Sequence, residues 1–292
     1  MTSPVIVGFD GSAPSRAAVD FGAAEAERRN RPLHLCHAFT WPLLYPMADP
    51  ADAPPDHGPR VRSLELLNET ADEVRRARPG LSVAARLLDG SPGGVLVSAS
   101  ADAGLLVVGH RGLGGFTGLL AGSVGVQVAG HARCPVVVVR GAPVADGAPI
   151  VVGVDGSAGA HLAAVAAFEQ AQQQGVELFH LQVCASETRR HAPLIHEPVG
   201  RSAAAVDDPA EDLDSLPAHY PGVTYQRGVV HGEHPAAALI AAADRVHAGM
   251  IVVGSRGLGG FRGLVMGSTS RSLIEHAPCP VMIVPPAATA AG

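Results

Sequence analysis

The chain of 292 residues repeats itself once at a constant offset, and this limits what it can fold into more than any other feature. VIVGFDGS at Val5–Ser12 returns as VVGVDGS at Val151–Ser157. GHRGLGGFTGLLAGS at Gly109–Ser123 returns as GSRGLGGFRGLVMGS at Gly254–Ser268, and HARCPVVVV at His131–Val139 as HAPCPVMIV at His276–Val284. Asp10 and Asp155, Gly109 and Gly254, Gly122 and Gly267, and Cys134 and Cys279 all stand 145 positions apart. A period this long is too large for a solenoid unit and marks a duplicated domain. The Pro/Gly/Ala stretch from Gly141 to Pro149 reads as the junction, giving domains at 1–141 and 149–286.

Within the first half, short apolar runs alternate with helical patterns. Strands are expected at Val5–Phe9, Leu33–Phe39, Ser82–Leu88, Leu105–Gly109 and Val136–Arg140. Helices are expected near Ser15–Asn30, His57–Arg78, Pro92–Asp102 and Ser123–His131. The second half has matching strands at Ile150–Val154, Val176–Val183, Val223–Val230, Met250–Gly254 and Val281–Pro285. Strand–helix alternation predicts an α/β open sheet, Rossmann-like, with helices on both faces. Continuous runs such as LLVVG and VVVV fit parallel strands buried on both sides. Trp41 to Pro59 reads as a loop. Arg189–Leu216, broken by Pro193, Pro198 and Pro209, is expected to be a loop with a short helix.

The motif with the most chemical content is G-x-x-G, nine residues, then G-S. It occurs as Gly109, Gly112, Gly122, Ser123 and as Gly254, Gly257, Gly267, Ser268. It leaves a buried strand and enters a helix. Its glycines are expected to allow positive φ and a close ligand approach. Unpaired amides at the helix start, with the helix dipole, favour an anion such as phosphate. The alternative is that the glycines only form turns. Asp10 and Asp155 end the first strand of each half, where ligands of open parallel sheets lie. They could bind ribose or adenine, or they could cap the following helix.

These residues resemble tandem universal stress proteins of the ATP-binding type. The resemblance covers nearly all of both halves, and implies a five-stranded parallel sheet in order 3-2-1-4-5 with ATP at the strand ends. It implies that Asp10 and Asp155 hold adenosine and that the backbone at Ala38 and Val183 meets adenine. Ribose and phosphates would lie against Gly109, Arg111, Gly112, Gly122, Ser123 and Val124. In the second half they would meet Gly254, Arg256, Gly257, Gly267, Ser268, Thr269 and Ser270. Gly125 stands where the second half has Ser270, so the loss of a phosphate-facing hydroxyl predicts a weaker first site. The resemblance also implies pairing of the two last strands as an intramolecular pseudo-dimer, with a homodimer through those strands as an extension.

Composition narrows the function. Net charge is -6, which disfavours nucleic acid as the main partner. All 21 basic residues are arginine, so lysine-dependent P-loop or Schiff-base chemistry is excluded. No run is long enough for a membrane span, and the N-terminal residues show no signal-peptide pattern, so a cytoplasmic protein is expected. Cys36, Cys134, Cys184 and Cys279 lack CxxC spacing and read as buried thiols. His231 and His234 flank a turn and His34 and His37 point oppositely along a strand, so no metal site is expected. Mg2+, if bound with ATP, would be held mostly by phosphate and water. With no assigned base or nucleophile, the expected role is adenine-nucleotide sensing or sequestration in a stress response, with at most weak ATPase activity. The alternatives are a slow hydrolase at the same loops and a scaffold binding another nucleotide such as cyclic AMP.

Overall fold

A computed structural model describes residues 3–40, 58–113, 121–141, 145–184, 215–231, 234–258 and 265–286. The chain forms two compact units, Met1–Val128 with Ala132–Cys134, and Ala129–His131 with Pro135–Gly292.

The first unit starts with β1 (Val5–Gly8), α1 (Ala13–Arg28), β2 (Leu33–Phe39), α2 (Pro59–Ala77) and β3 (Val83–Asp89). It continues through α3 (Pro92–Ala99) and β4 (Leu105–Gly109) into α4 (Ser123–His131). Its strands lie in the order β3-β2-β1-β4, all parallel. Val5, Val7, Leu105, Leu106 and Val107 are almost wholly buried, as expected for strands covered on both faces. α1 begins two residues before the expected Ser15, because the Ser12 hydroxyl caps it by accepting the Ser15 N–H at 3.3 Å.

The second unit contains β5 (Val136–Val139), β6 (Ile150–Val154), α5 (Ala158–Gln174), β7 (Leu178–Cys184) and α6 (Leu216–His219). β8 (Tyr225–His231), α7 (Pro235–Val246), β9 (Met250–Gly254), α8 (Ser268–His276) and β10 (Val281–Val284) follow. The parallel order β8-β7-β6-β9-β10 is the expected 3-2-1-4-5 arrangement. The short α6 falls at the end of the proline-broken segment, whose residues 189–214 lie outside the described ones, as does the expected loop at 41–57.

β5 pairs antiparallel with β10, Val137 opposite Met282, and is therefore counted with the second unit although it ends the first repeat. β10 has β9 on one side and β5 on the other, so both its edges are occupied. The last strands pair within one chain, and β10 offers no edge to a second copy.

Candidate functional site

The two aspartates do the same structural work in both repeats. Asp155 follows β6, and its Oδ1 accepts the Ser157 N–H at 3.0 Å while its Oδ2 accepts the Leu258 N–H at 2.9 Å. Asp10 accepts from the Ser12 amide at 3.0 Å, the Ser12 hydroxyl at 2.6 Å and the Leu113 amide at 2.9 Å. Each carboxylate thus ties the end of one strand to the turn after another. Helix capping falls to the serines, Ser12 on α1 and Ser157 on α5, so the aspartates are not the caps. Burial raises the Asp10 pKa, but hydrogen bonds from Ser12, Leu113 and Ser15 outweigh it and hold the carboxyl below the usual aspartate range.

The motif glycines serve close packing, and none adopts the left-handed conformation expected of them. Positive φ occurs instead at Gly11 (+86°) and Gly156 (+84°), where the chain turns from strand to helix. A Cβ on Gly257 would fall 2.2 Å from Asp155 Oδ2, and one on Gly112 2.4 Å from Asp10 Oδ2. A Cβ on Gly254 or Gly109 would stand 2.7 Å from a backbone oxygen, that of Gly159 or Pro14. Gly267 differs. Its nearest atom, Ser255 O, would be 3.5 Å from a Cβ, an ordinary contact. The protein's own packing does not require glycine at that position.

Gly267 closes the loop by donating its N–H to Ser255 O at 2.8 Å, and Gly122 does the same to His110 O at 2.7 Å. Gly267 is also the N-cap of α8, as Gly122 is of α4, and no side chain caps either helix. The first turn of α8 therefore brings backbone amides to the end of the sheet without a competing acceptor from a cap.

A cavity of about 500 Å3 opens at this point, against Asp155, Val183, Gly254, Arg256, Gly257 and Gly267–Ser270. The second-repeat residues expected at the site thus meet around one space. Its apolar wall, Leu239 with Pro235 and Met266, went unrecognised in the sequence. That wall rests on a long-range contact, Gly153 against Leu239, whose Cδ1 would be 2.6 Å from a Cβ there, and no local pattern signals it.

Ser270 lines the cavity, yet its hydroxyl donates to Gly254 O at 2.7 Å. Its single proton is thus committed to the backbone at the strand end. In the first repeat, Ala38 lies on β2 opposite Leu88. Ser123, Val124 and Gly125 start α4. Arg111 is half-buried with no acceptor for its Nε–H, whereas Arg256 is exposed.

Among the described residues no group of His, Cys, Asp and Glu could hold a metal ion. The turn at 232–233 between His231 and His234 lies outside those residues. Burial holds His34 and His37 below the ordinary imidazole range. It pushes the thiol of Cys36 up to about 11 and those of Cys134 and Cys279 to about 12, which keeps them protonated and unreactive. No helix among the described residues is long and apolar enough to cross a membrane.

The profile of the Universal stress protein family matches residues 1–140 and again 148–285. The chain belongs to the universal stress protein family. A universal stress protein of Mycobacterium tuberculosis strain H37Rv is 34% identical over 295 residues, covering 96% of this chain and 95% of its own length. One from Mycolicibacterium smegmatis is 32% identical, with 97% of each chain covered. Among solved structures, a universal stress protein from Archaeoglobus fulgidus superposes with a TM-score of 0.65 at 20% identity, covering 97% of this chain and 96% of its own. At that identity the likeness concerns the fold. The relatives span the same tandem length, so the duplication seen in this universal stress protein is shared with them.

Proposed function

We propose that the chain binds adenine nucleotide, ATP first, in the cavity of the second repeat and holds it without efficient cleavage. The carrying observation is the start of α8: a helix N-terminus with no side-chain cap, opening into the cavity behind a glycine that packing does not require. Amides there, with the Ser268 and Thr269 hydroxyls, suit phosphate oxygens. The wall formed by Leu239, Pro235 and Val183 suits a flat apolar base. Asp155 keeps lone pairs beyond its two amide bonds and can accept from a ribose hydroxyl.

The second repeat's residues fit a nucleotide better than they fit a catalytic role. No lysine exists in the chain, and Asp155 is held in place by the Ser157 and Leu258 amides, which favour its ionised, proton-accepting form over an acid. Mg2+ bound with ATP would be held through phosphate and water, supplying charge neutralisation. The biological role that follows is nucleotide sensing or sequestration in the cytoplasm during stress, with signalling through partners.

The test is mass spectrometry of whatever is released when the purified chain is denatured, together with calorimetric titration of ATP, ADP, AMP and cyclic AMP. ATP should be released intact or bind most tightly. Absence of any adenine nucleotide in both measurements would overturn the reading, and sustained multiple turnover with Mg2+ would replace it with a hydrolase.

A further inference from the structure

The helix that opens the cavity, α8, is held at its far end by residues that sequence assigns to the first repeat. The last carbonyls of a helix lack intrahelical donors. Leu273 O accepts the Ala277 N–H at 2.9 Å, but the next residue is Pro278, which has no N–H to give Ile274 O. Arg140, immediately after β5, provides the donor: its Nη1 hydrogen-bonds Ile274 O and lies 3.4 Å from Leu273 O. A guanidinium at a helix C-terminus also opposes the negative end of the helix dipole.

Two further contacts come from the same stretch. Gly141 packs so tightly that a Cβ would stand 1.8 Å from Pro278 O, just beyond α8. At the other end, Gly130 lies against Val265, two residues before Gly267, with Val265 Cγ1 2.7 Å from where a Cβ would be. Residues 130–141 therefore touch the chain both before and after α8. The arrangement is not duplicated in sequence, because the position equivalent to Arg140 in the second repeat is Pro285.

We propose that Arg140 is a positioning residue for the second-repeat site, fixing α8 so that its first-turn amides keep the geometry that receives phosphate. The proposal rests on the nucleotide reading above and makes that site depend on the end of the first repeat. Because Arg140 acts through α8, its removal should weaken phosphate recognition and leave nucleoside recognition alone.

The experiment titrates the full-length chain and its R140M and R140K variants with ATP and with adenosine. R140M should weaken ATP binding about fivefold, the low end of coupling between distant sites, with adenosine affinity unchanged. R140K, which restores a cationic donor, should recover part of the ATP affinity. Unchanged ATP binding in R140M, or equal losses for ATP and adenosine, would overturn the proposal. Should the wild-type chain bind neither ligand, the nucleotide reading fails and hydrogen exchange on the ligand-free chain decides the clamp. R140M must then speed exchange at the 271–277 amides, which are hydrogen-bonded back along α8, and unchanged rates there overturn it.

Discussion

Asp10 and Asp155 each spend one oxygen two positions along the chain and the other 103 positions along it, on the turn after the neighbouring strand. Glycine at 112 and 257 follows from that contact, since the carboxylate occupies the space of a side chain. Gly267 has no such neighbour, so two glycines of one motif have separable roles. Gly257→Ala should destabilise the fold by about 1–3 kcal/mol, because the aspartate must leave an amide unpaired. Gly267→Ala should cost less, about 0.5–1 kcal/mol for alanine in place of glycine at the α8 N-cap. It should also weaken ATP binding, since the added methyl meets no protein atom closer than 3.5 Å and faces the cavity. Thermal denaturation and ATP titration of both variants check this, and a comparable loss of stability in the two would contradict it.

At the scale of elements, the aspartate acts as a fastener between strand ends, and its protonation state sets whether the fastener holds. The Asp10 carboxyl is held below its ordinary value near 3.8 in the folded chain. A folded-state pKa lowered in this way contributes stability that is fully present above the unfolded value and is lost as pH falls through the folded one. The urea midpoint should therefore fall below about pH 4, and more steeply in the wild type than in Asp10→Asn, which has no such proton to take up. Parallel slopes for the two proteins over that range would show that the Asp10 contacts do not contribute. Ser270 is a second fastener, joining α8 to the end of β9 through Gly254 O. Gly125, having no side chain, cannot make the equivalent bond from α4.

For the whole molecule, duplication has left two copies of one frame with unequal equipment. Thr269 and Ser270 in the second repeat stand where the first has Val124 and Gly125. A hydrogen bond to a charged group is worth about 1.5–3 kcal/mol, so losing the Thr269 hydroxyl alone should lower affinity by roughly tenfold or more. Calorimetry should show one tight ATP site per chain and a weaker second one, with Asp155→Ala removing the tight phase and Asp10→Ala sparing it. Two sites of equal affinity would contradict this asymmetry.

What could be read from the sequence was whatever repeats or acts over a few residues. The 145-residue offset, the strand and helix alternation, and the starts of α4 and α8 just after Gly122 and Gly267 all appear where expected. Periodicity and turn chemistry are local, and in the described residues they place most element ends within a few positions. Only the closed tertiary structure decided which atoms those residues meet. It turned the Ser270 hydroxyl toward Gly254 and gave Asp10 and Asp155 their distant amides. It also placed positive φ at Gly11 and Gly156 rather than in the motif, set β5 against β10, and brought Arg140 to Ile274. Such contacts join residues up to 147 positions apart, as Val136 and Ile283 are. No local pattern encodes them, because they form only when separate elements pack and leave particular donors facing particular acceptors.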